Sequence, residues 1–539
     1  MAAEAPAAVR APHRPAPPRR RRDAPTPLWA AVLLALLGGL LFDGAFPDRG
    51  IWPLAFPAVA VLLLALRGRQ AGGGFLVGLA FGLAFYLIHI EWATLWLGEI
   101  PWLALSTLQA LFVAAGGMLI TLAYRLVPRA WPTRAGRLVL LPIVVAGLWT
   151  LREAISAVWP YGGFSWGRFS MSQSESPFAD LVAWLGLSGT SFALVWLTAL
   201  AVESIAVLIR RRPAFPATVS VRADRMGAAL LVAAAAAALV AVPAWRTADA
   251  GTLRVAAVQG NTRSAYFDQR DYQGEILDGH ITATLPLLDS GADPDVLIWP
   301  EGASDLDPLQ ESRASEALDL VSDAIGAPMI VGAITVRGDD IFNSSILWEA
   351  GEGAVDVYDK RHPVPFGEYV PDRSFWEPFA PDLIGLIQRE YTPGTTSPVF
   401  DVAGTLVGVD ICFDIVDDGL ITESVQDGAE LLIAQSNNAD FGRTDESVQQ
   451  LAIARLRAIE TGRSVVNIST VGTSATVAPD GSTLDSLPVY TAGAMVVDVP
   501  LRTGLTPATA VGRQLEQLAG GFGLAMLVVG GVLTRRRRV

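Results

Sequence analysis

Eight times along this chain a stretch of roughly 15 to 30 residues runs almost free of charge, and a fold that keeps its surface in water cannot hide so many. The stretches lie near residues 28–46, 52–66, 74–90, 101–124, 138–158, 180–209, 227–245 and 515–534, in a chain of 539 residues that is 51% hydrophobic. A bilayer core leaves backbone polar groups without water, so each stretch is expected as a helix. The second is short, and Pro53 and Pro57 predict a broken or tilted entry. Leu28 to Leu41 could serve as a secretory apolar region, but no small-x-small cleavage site clearly follows it and more apolar stretches do. It is therefore read as a retained helix.

Arginines set the expected orientation, because basic residues near helix ends stay cytoplasmic. They cluster at Arg19 to Arg22, Arg67/Arg69, Arg125/Arg129/Arg134/Arg137, Arg210 to Arg212 with Arg222/Arg225, and Arg535 to Arg538. Every second loop is thus basic, while the intervening ones carry Asp43/Asp48, the Glu91-to-Glu99 segment and Glu153 through Asp180. The expectation is a disordered basic cytoplasmic tail (1–27), a membrane domain of seven helices (28–246), an extracytoplasmic block (251–500), and a last span with a basic cytoplasmic end (514–539). A miscount of one span would move the block to the cytoplasm. The aromatic loop Trp159 to Trp166 reads first as interfacial anchors, with a lipid or substrate entrance as the alternative.

The block at 251–500 differs in kind. It carries 13 basic and 40 acidic side chains, a net of −27 where the whole chain has −13, and such a field repels phosphates, so nucleic acid is not expected as a partner. Apolar, β-branched runs at Leu253–Gln259, Val296–Trp299, Met329–Ile334, Ser344–Trp348, Leu406–Cys412, Leu431–Gln435, Ser464–Ser469, Ser474–Ala478 and Ala494–Val499 predict strands, and Glu311–Ile325 and Glu446–Thr461 predict helices. This alternation makes a layered α/β domain. The block has no glycine-rich phosphate loop, no metal-spaced His/Cys cluster and no serine elbow, and its two histidines, His280 and His362, do not make a triad.

Two singular residues stand in it. Cys412 is the only cysteine of the chain, and Lys360 is the only lysine against 39 arginines. A lone cysteine is either a small buried hydrophobe or a reactive thiol, and a lone lysine in an arginine-rich chain suggests a need for a compact ammonium. Glu301 closes the run Val296 to Glu301, Lys360 follows Val355 to Asp359, and Cys412 closes the run from Gly408. Strand ends in layered α/β folds converge on one face. A thiolate nucleophile, a carboxylate to take its proton and an ammonium to hold an oxyanion form a working set. The simpler reading of each residue alone is a loop charge, a surface lysine and a core thiol.

Ile298-Trp299-Pro300-Glu301, Lys360 through Pro371 with its Val-Pro-Phe-Gly-Glu-Tyr-Val-Pro run, and Ile411-Cys412-Phe413-Asp414 resemble the Glu, Lys and Cys motifs of the nitrilase superfamily. More narrowly, this block between seven spans and one is similar to the apolipoprotein N-acyltransferases. The resemblance implies a polytopic helical membrane domain bearing an αββα sandwich, with Glu301 as general base, Cys412 as nucleophile, Lys360 at the oxyanion, and Glu368 as accessory carboxylate. It implies a phospholipid acyl donor, a diacylated apolipoprotein acceptor, contact with membrane lipids, and no cofactor or metal. The usual Cys-Tyr-Glu stands here as Cys412-Phe413-Asp414, which makes Phe413 and Asp414 supporting candidates. Tyr266-Phe267-Asp268 and Ser436 through Gly442 also depart from the family pattern and are expected to touch lipid rather than the reacting groups. Phe375 to Phe379 with Leu383 to Ile387 are expected as a lid on the bilayer. A membrane-tethered amidase and a silent scaffold docking a glycosyltransferase are the competing readings. The intact Glu301, Lys360 and Cys412 set argues against the scaffold, and the few charges within the spans argue against an ion-coupled transporter.

Overall fold

The computed structural model describes residues 26–209, 221–263, 271–387 and 390–537; residues 1–25, Arg210 to Arg212, Tyr266-Phe267-Asp268 and Arg538 lie outside them. Each apolar stretch is a helix: Leu28–Asp43, Ala55–Leu66, Ala71–His89, Glu99–Ala130, Leu141–Ser156, Leu181–Ile209, Val221–Val240 and Pro507–Arg536. Among the described residues five are long and apolar enough to cross a membrane, whereas the apolar parts Leu28–Asp43, Trp52–Leu66 and Met226–Val240 are shorter. At 1.5 Å per residue a 16-residue helix reaches only about 24 Å.

Close helix packing in a bundle without a hydrophobic driving force needs small residues. Gly74, Gly78 and Gly82 form one stripe of Ala71–His89 pressed on Glu99–Ala130, and a Cβ on Gly78 would stand 2.7 Å from the Val113 carbonyl oxygen. Gly147 and Gly523 do the same for the helices Leu141–Ser156 and Pro507–Arg536, where a Cβ on Gly147 would meet Ala519 O at 2.5 Å.

Residues 248–503 form two six-stranded sheets. The first contains β1 (Ala248–Gln259), β2 (Val296–Ile298), β3 (Met329–Arg337), β4 (Asp340–Glu349), β5 (Gly353–Asp359) and β12 (Gly493–Thr503), in the order β12-β1-β2-β3-β4-β5. The second contains β6 (Val399–Val402), β7 (Thr405–Ile411), β8 (Leu431–Ser436), β9 (Ser464–Ser469), β10 (Ala475–Val477) and β11 (Thr483–Ser486), in the order β11-β10-β9-β8-β7-β6. In each sheet a parallel triplet, β1-β2-β3 or β7-β8-β9, is flanked by antiparallel strands.

Side-chain alternation along the strands sorts the layers. Val255, Ala257, Val409, Ile411, Ile433 and Val466 meet between the sheets. Ala256, Val258, Leu297 and Trp299 turn outward to the helices Glu275–Ser290 and Ser312–Ile325. On the far side, Leu432, Ala434 and Val465 join one continuous core with the helix Glu446–Thr461 and the membrane helices. The arrangement is an αββα sandwich whose outer helix layer on one side is shared with the bundle.

Candidate active site

The parallel triplets deliver the site, because their carboxyl ends point the same way. β2 ends at Ile298, and a turn through Pro300 and Glu301 is locked by the Ser304 N–H donating to Gly332 O at 3.1 Å. A Cβ on Gly332 would lie 2.6 Å from Glu301 Cα, so only glycine admits this turn against β3. β7 ends at Ile411, one residue before the expected strand end, and Cys412 opens a short 3₁₀ turn with φ 53°. A non-glycine residue in this left-handed region costs about 1–3 kcal/mol and aims the thiol out of the strand. Lys360 leaves β5 with its N–H donating to Asn343 O at 2.8 Å.

Glu301, Lys360, Glu368, Cys412 and Phe413 line one cavity of about 880 Å³. Lys360 is 1% exposed and its Nζ lies 2.9 Å from Glu368 Oε2. Asn343, on β4, donates through Nδ2 to Glu301 Oε1 at 2.7 Å and to Glu368 Oε1 at 3.0 Å, and the Asn437 N–H donates to Glu301 Oε2 at 2.8 Å. Val364 N–H holds Glu368 Oε2 at 2.6 Å. The Lys360 ammonium is thereby paired at a fixed place, with both carboxylates tied by one amide.

Burial pushes the Glu301 carboxyl above its ordinary range, against the pull of Lys360, and Glu368 raises it further, while Asn343 and the Asn437 N–H draw it down. The Cys412 thiol is pushed well up, by burial first and then by Glu301, with Lys360 opposing. Burial alone would lower Lys360, yet Glu368, Cys412 and Glu301 together hold it above its usual value. The resting site therefore holds a thiol beside a carboxyl whose affinity for a proton has been raised, under a permanent cation. That combination suits a proton moving from sulfur to Glu301 only as sulfur attacks.

Of the supporting candidates, Phe413 and Asp414 separate. Phe413 faces the cavity and stacks on Phe164 (ring centroids 5.7 Å) and Trp166 (6.1 Å) from the membrane loop. Asp414 turns away, accepting from Tyr358 OH at 3.1 Å and from the Ile411 N–H at 3.2 Å, and so pins the cysteine turn. Burial brings its carboxyl up to about 7. Of the aromatic residues in the loop Trp159 to Trp166 only Trp159 stands well exposed, at 60%, whereas Trp166 is buried; the inward half of that loop is a wall of the cavity rather than an anchor. Asn437 departs from the expectation for Ser436 through Gly442, since its N–H holds the Glu301 carboxylate directly. Phe441 nonetheless packs on Trp92 and Trp96 of the bundle.

Sequence reasoning also missed Asn343, Glu446 and Gln450. Gln450 donates to Cys412 O at 3.0 Å, and its neighbour Gln449 accepts from the indoles of Trp166 (2.7 Å) and Trp92 (3.2 Å). Beside this polar floor the cavity is apolar, walled by Ile100, Leu105 and Leu108 of the helix Glu99–Ala130 and by Trp376, Phe379, Leu383 and Ile387 of the long excursion after Lys360. Among the described residues no group of His, Cys, Asp and Glu could hold a metal ion.

An αββα sandwich with a Glu, Lys and Cys at converging strand ends, seated on a helix bundle, defines a nitrilase-type carbon–nitrogen hydrolase unit in a membrane protein. The Carbon-nitrogen hydrolase family matches residues 289–505, and the Apolipoprotein N-acyltransferase N-terminal domain matches residues 38–200. The apolipoprotein N-acyltransferase of Mycolicibacterium smegmatis is 34% identical, covering 93% of this chain and 85% of that protein. Those of Azotobacter vinelandii (29%, covering 95% and 96%) and Shewanella oneidensis (27%, covering 94% and 96%) match over similar lengths. An amidase from Nesterenkonia sp. is 18% identical over 47% of this chain and 92% of that chain, with a TM-score of 0.36. The chain belongs to the apolipoprotein N-acyltransferase family.

Proposed function

We propose that this chain N-acylates the N-terminal S-diacylglyceryl-cysteine of apolipoproteins, the last step of lipoprotein maturation, with a membrane phospholipid as acyl donor and a thioester on Cys412 as intermediate. Its family makes it an acyltransferase of lipoprotein maturation. The observation that carries the finer reading is that Cys412, Glu301, Lys360 and Glu368 meet at the polar floor of a cavity whose walls are apolar and partly built by a membrane helix.

In the first half-reaction Cys412 Sγ attacks the ester carbonyl of the phospholipid while Glu301 takes the thiol proton. Lys360 Nζ, held by Glu368, stabilises the oxyanion. The tetrahedral species expels the lysophospholipid alkoxide, which recovers the proton from Glu301, and leaves the acyl thioester. In the second half the acceptor amine attacks that thioester, an amide forms, and the thiolate leaves and is reprotonated. This is ping-pong chemistry, and it explains the attachment to a bundle, since donor and acceptor both reside in lipid.

The orientation proposed is an integral protein of the bacterial cytoplasmic membrane with the sandwich outside and both termini in the cytoplasm. Arginine placement supports it. Arg67 and Arg137 pair with Glu203 (3.2 and 2.7 Å), Arg69 reaches Thr26 O at 2.8 Å, and Arg537 reaches Arg129 O at 3.0 Å, all at the bundle end remote from the sandwich. The segment Arg373–Ile387 is read as a lid: Phe375, Phe379 and Leu386 are exposed, and Trp376 Nε1 donates to Tyr161 OH at 3.1 Å.

Purified protein incubated with acyl-labelled phospholipid should acquire a hydroxylamine-sensitive label and pass it to a diacylated lipopeptide. Label that persists in Cys412→Ala, or no label on the wild-type protein, overturns the thioester. Transfer to water but not to the lipopeptide would make the protein an amidase-like hydrolase instead.

A further inference from the structure

The transfer step has a proton that the residues named so far do not accommodate. An α-amine, with a pKa of about 7.7–8.0, arrives at neutral pH mostly as an ammonium. It must lose one proton before it can attack and a second as the amide forms. Glu301 can take one of these and return it to the departing thiolate, which leaves one proton to be accepted by something else.

Glu446 occupies the place for it. It is 3% exposed, lines the same cavity as Cys412 and Glu301, and is the first residue of the helix Glu446–Thr461. Asn438 fixes it, donating through Nδ2 to Glu446 Oε2 at 2.6 Å and to Gln450 Oε1 at 3.0 Å, while Asn438 Oδ1 accepts from Ser469 Oγ at 2.5 Å. Gln450 in turn donates to Cys412 O at 3.0 Å, so one amide chain registers this carboxylate against the nucleophile turn. No step of the first half-reaction uses it. Resting on the thioester reading above, we propose that Glu446 is the second proton acceptor of the transfer step, taking the proton of the acceptor's α-ammonium beside the thioester on Cys412.

The proton balance then closes. Glu446 carboxylate accepts the ammonium proton, the neutral amine attacks, the remaining proton passes through Glu301 to the Cys412 thiolate, and Glu446 releases its own to solvent. Burial raises the Glu446 carboxyl, the Asn438 bond lowers it and Glu301 adds to the rise, bringing it to about 8. That lies close to an α-amine, and the charge of the arriving ammonium favours the Glu446 carboxylate beside it, so the proton exchange between the two is nearly level in energy. The titratable groups around it are Glu301 and Cys412 at the strand ends, and Lys360, Glu368 and Asp440 on the cavity wall.

The test uses the full-length protein in detergent, loaded with acyl label and mixed with a diacylated lipopeptide from pH 6 to 9.5. With Glu446→Gln, which keeps an acceptor for Asn438, label should form on the protein but leave it about tenfold more slowly than in wild type at pH 7. Near pH 9 the two should converge, because only about a tenth of an amine of pKa ~8 is neutral at pH 7. Glu446→Asp should recover part of the loss. Wild-type transfer at pH 7 by Glu446→Gln, or a slowing equal at every pH, would overturn the assignment. Failure of the wild-type protein to take label would instead overturn the thioester reading on which it stands.

Discussion

Asn343 offers the sharpest test of how the site is tuned. Its side-chain amide is buried at 3% exposure and bridges Glu301 and Glu368 at 2.7 and 3.0 Å. Asn343→Leu keeps the approximate volume and removes both donors. A hydrogen bond to a charged group contributes about 1.5–3 kcal/mol, and each pKa unit is about 1.36 kcal/mol. Loss of the bond to Glu301 therefore raises its pKa by about one to two units, on top of the rise that burial already imposes. In the proposed mechanism Glu301 is ionised when it accepts the thiol proton, so the donor's removal, which disfavours the carboxylate, moves the acid limb of the rate profile to higher pH. Single-turnover labelling of Cys412 from pH 5 to 9 should show that limb displaced by about one to two units, with the rate recovering toward wild type at the alkaline end. A uniform loss at every pH, with the limb where wild type has it, would refute the reasoning and leave Asn343 a packing residue.

Two further perturbations probe the seam with the membrane. Arg457 is 1% exposed and ties Asp418 (2.8 Å), Glu460 (2.5 Å) and Ile415 O (2.8 Å); Arg457→Met leaves Glu460 without its cation, while Asp418 keeps Arg168 at 2.7 Å, and should cost about 3 kcal/mol, read as a drop in the thermal midpoint in detergent. An unchanged midpoint would show the network to be idle. Phe413→Ala removes two ring stacks, each contributing about 0.5–1.5 kcal/mol, and should raise KM for phospholipid by up to about tenfold with kcat largely kept, whereas Phe413→Tyr should preserve both. A collapse of kcat at constant KM in Phe413→Ala would assign the ring to the chemistry instead.

The most legible strands include those buried on both faces, such as β8 and β9, every residue of which is buried. β11, exposed throughout, and the four-residue β6 escaped because edge strands need not carry an apolar pattern. The helix Glu275–Ser290 escaped because Gly279 and Pro286 interrupt its period. At the site, Glu301, Lys360 and Cys412 were legible because rare residues at strand ends stand out. Asn343, Asn437, Asn438 and Gln450 were not, because a neutral amide in a strand or helix has no distinctive composition. Their meaning is purely positional: each donates, Asn437 through its backbone N–H, to a charged group or backbone carbonyl that another segment of the chain brings near. The buried charges of the bundle were hidden for the same reason, since Glu203 is read as one acid in a long apolar run until Arg67 and Arg137 arrive from other helices.

The helix Glu446–Thr461 has 12 of its 16 residues buried. It carries Gln450 toward the cysteine turn on one side and, on the other, Gln449 toward Trp92 and Trp166 and Glu460 toward the Leu187 N–H. In a free-standing sandwich this layer would have a water-facing side; here it has none. The boundary between soluble and membrane parts, plain along the chain, is thus absent as a plane of separation. A catalytic fragment cut free near residues 247 and 505 would bare an interior, so solubilising it is a redesign of that helix and not a truncation. By the same token a tilt of the bundle is a displacement of the turn that carries Cys412.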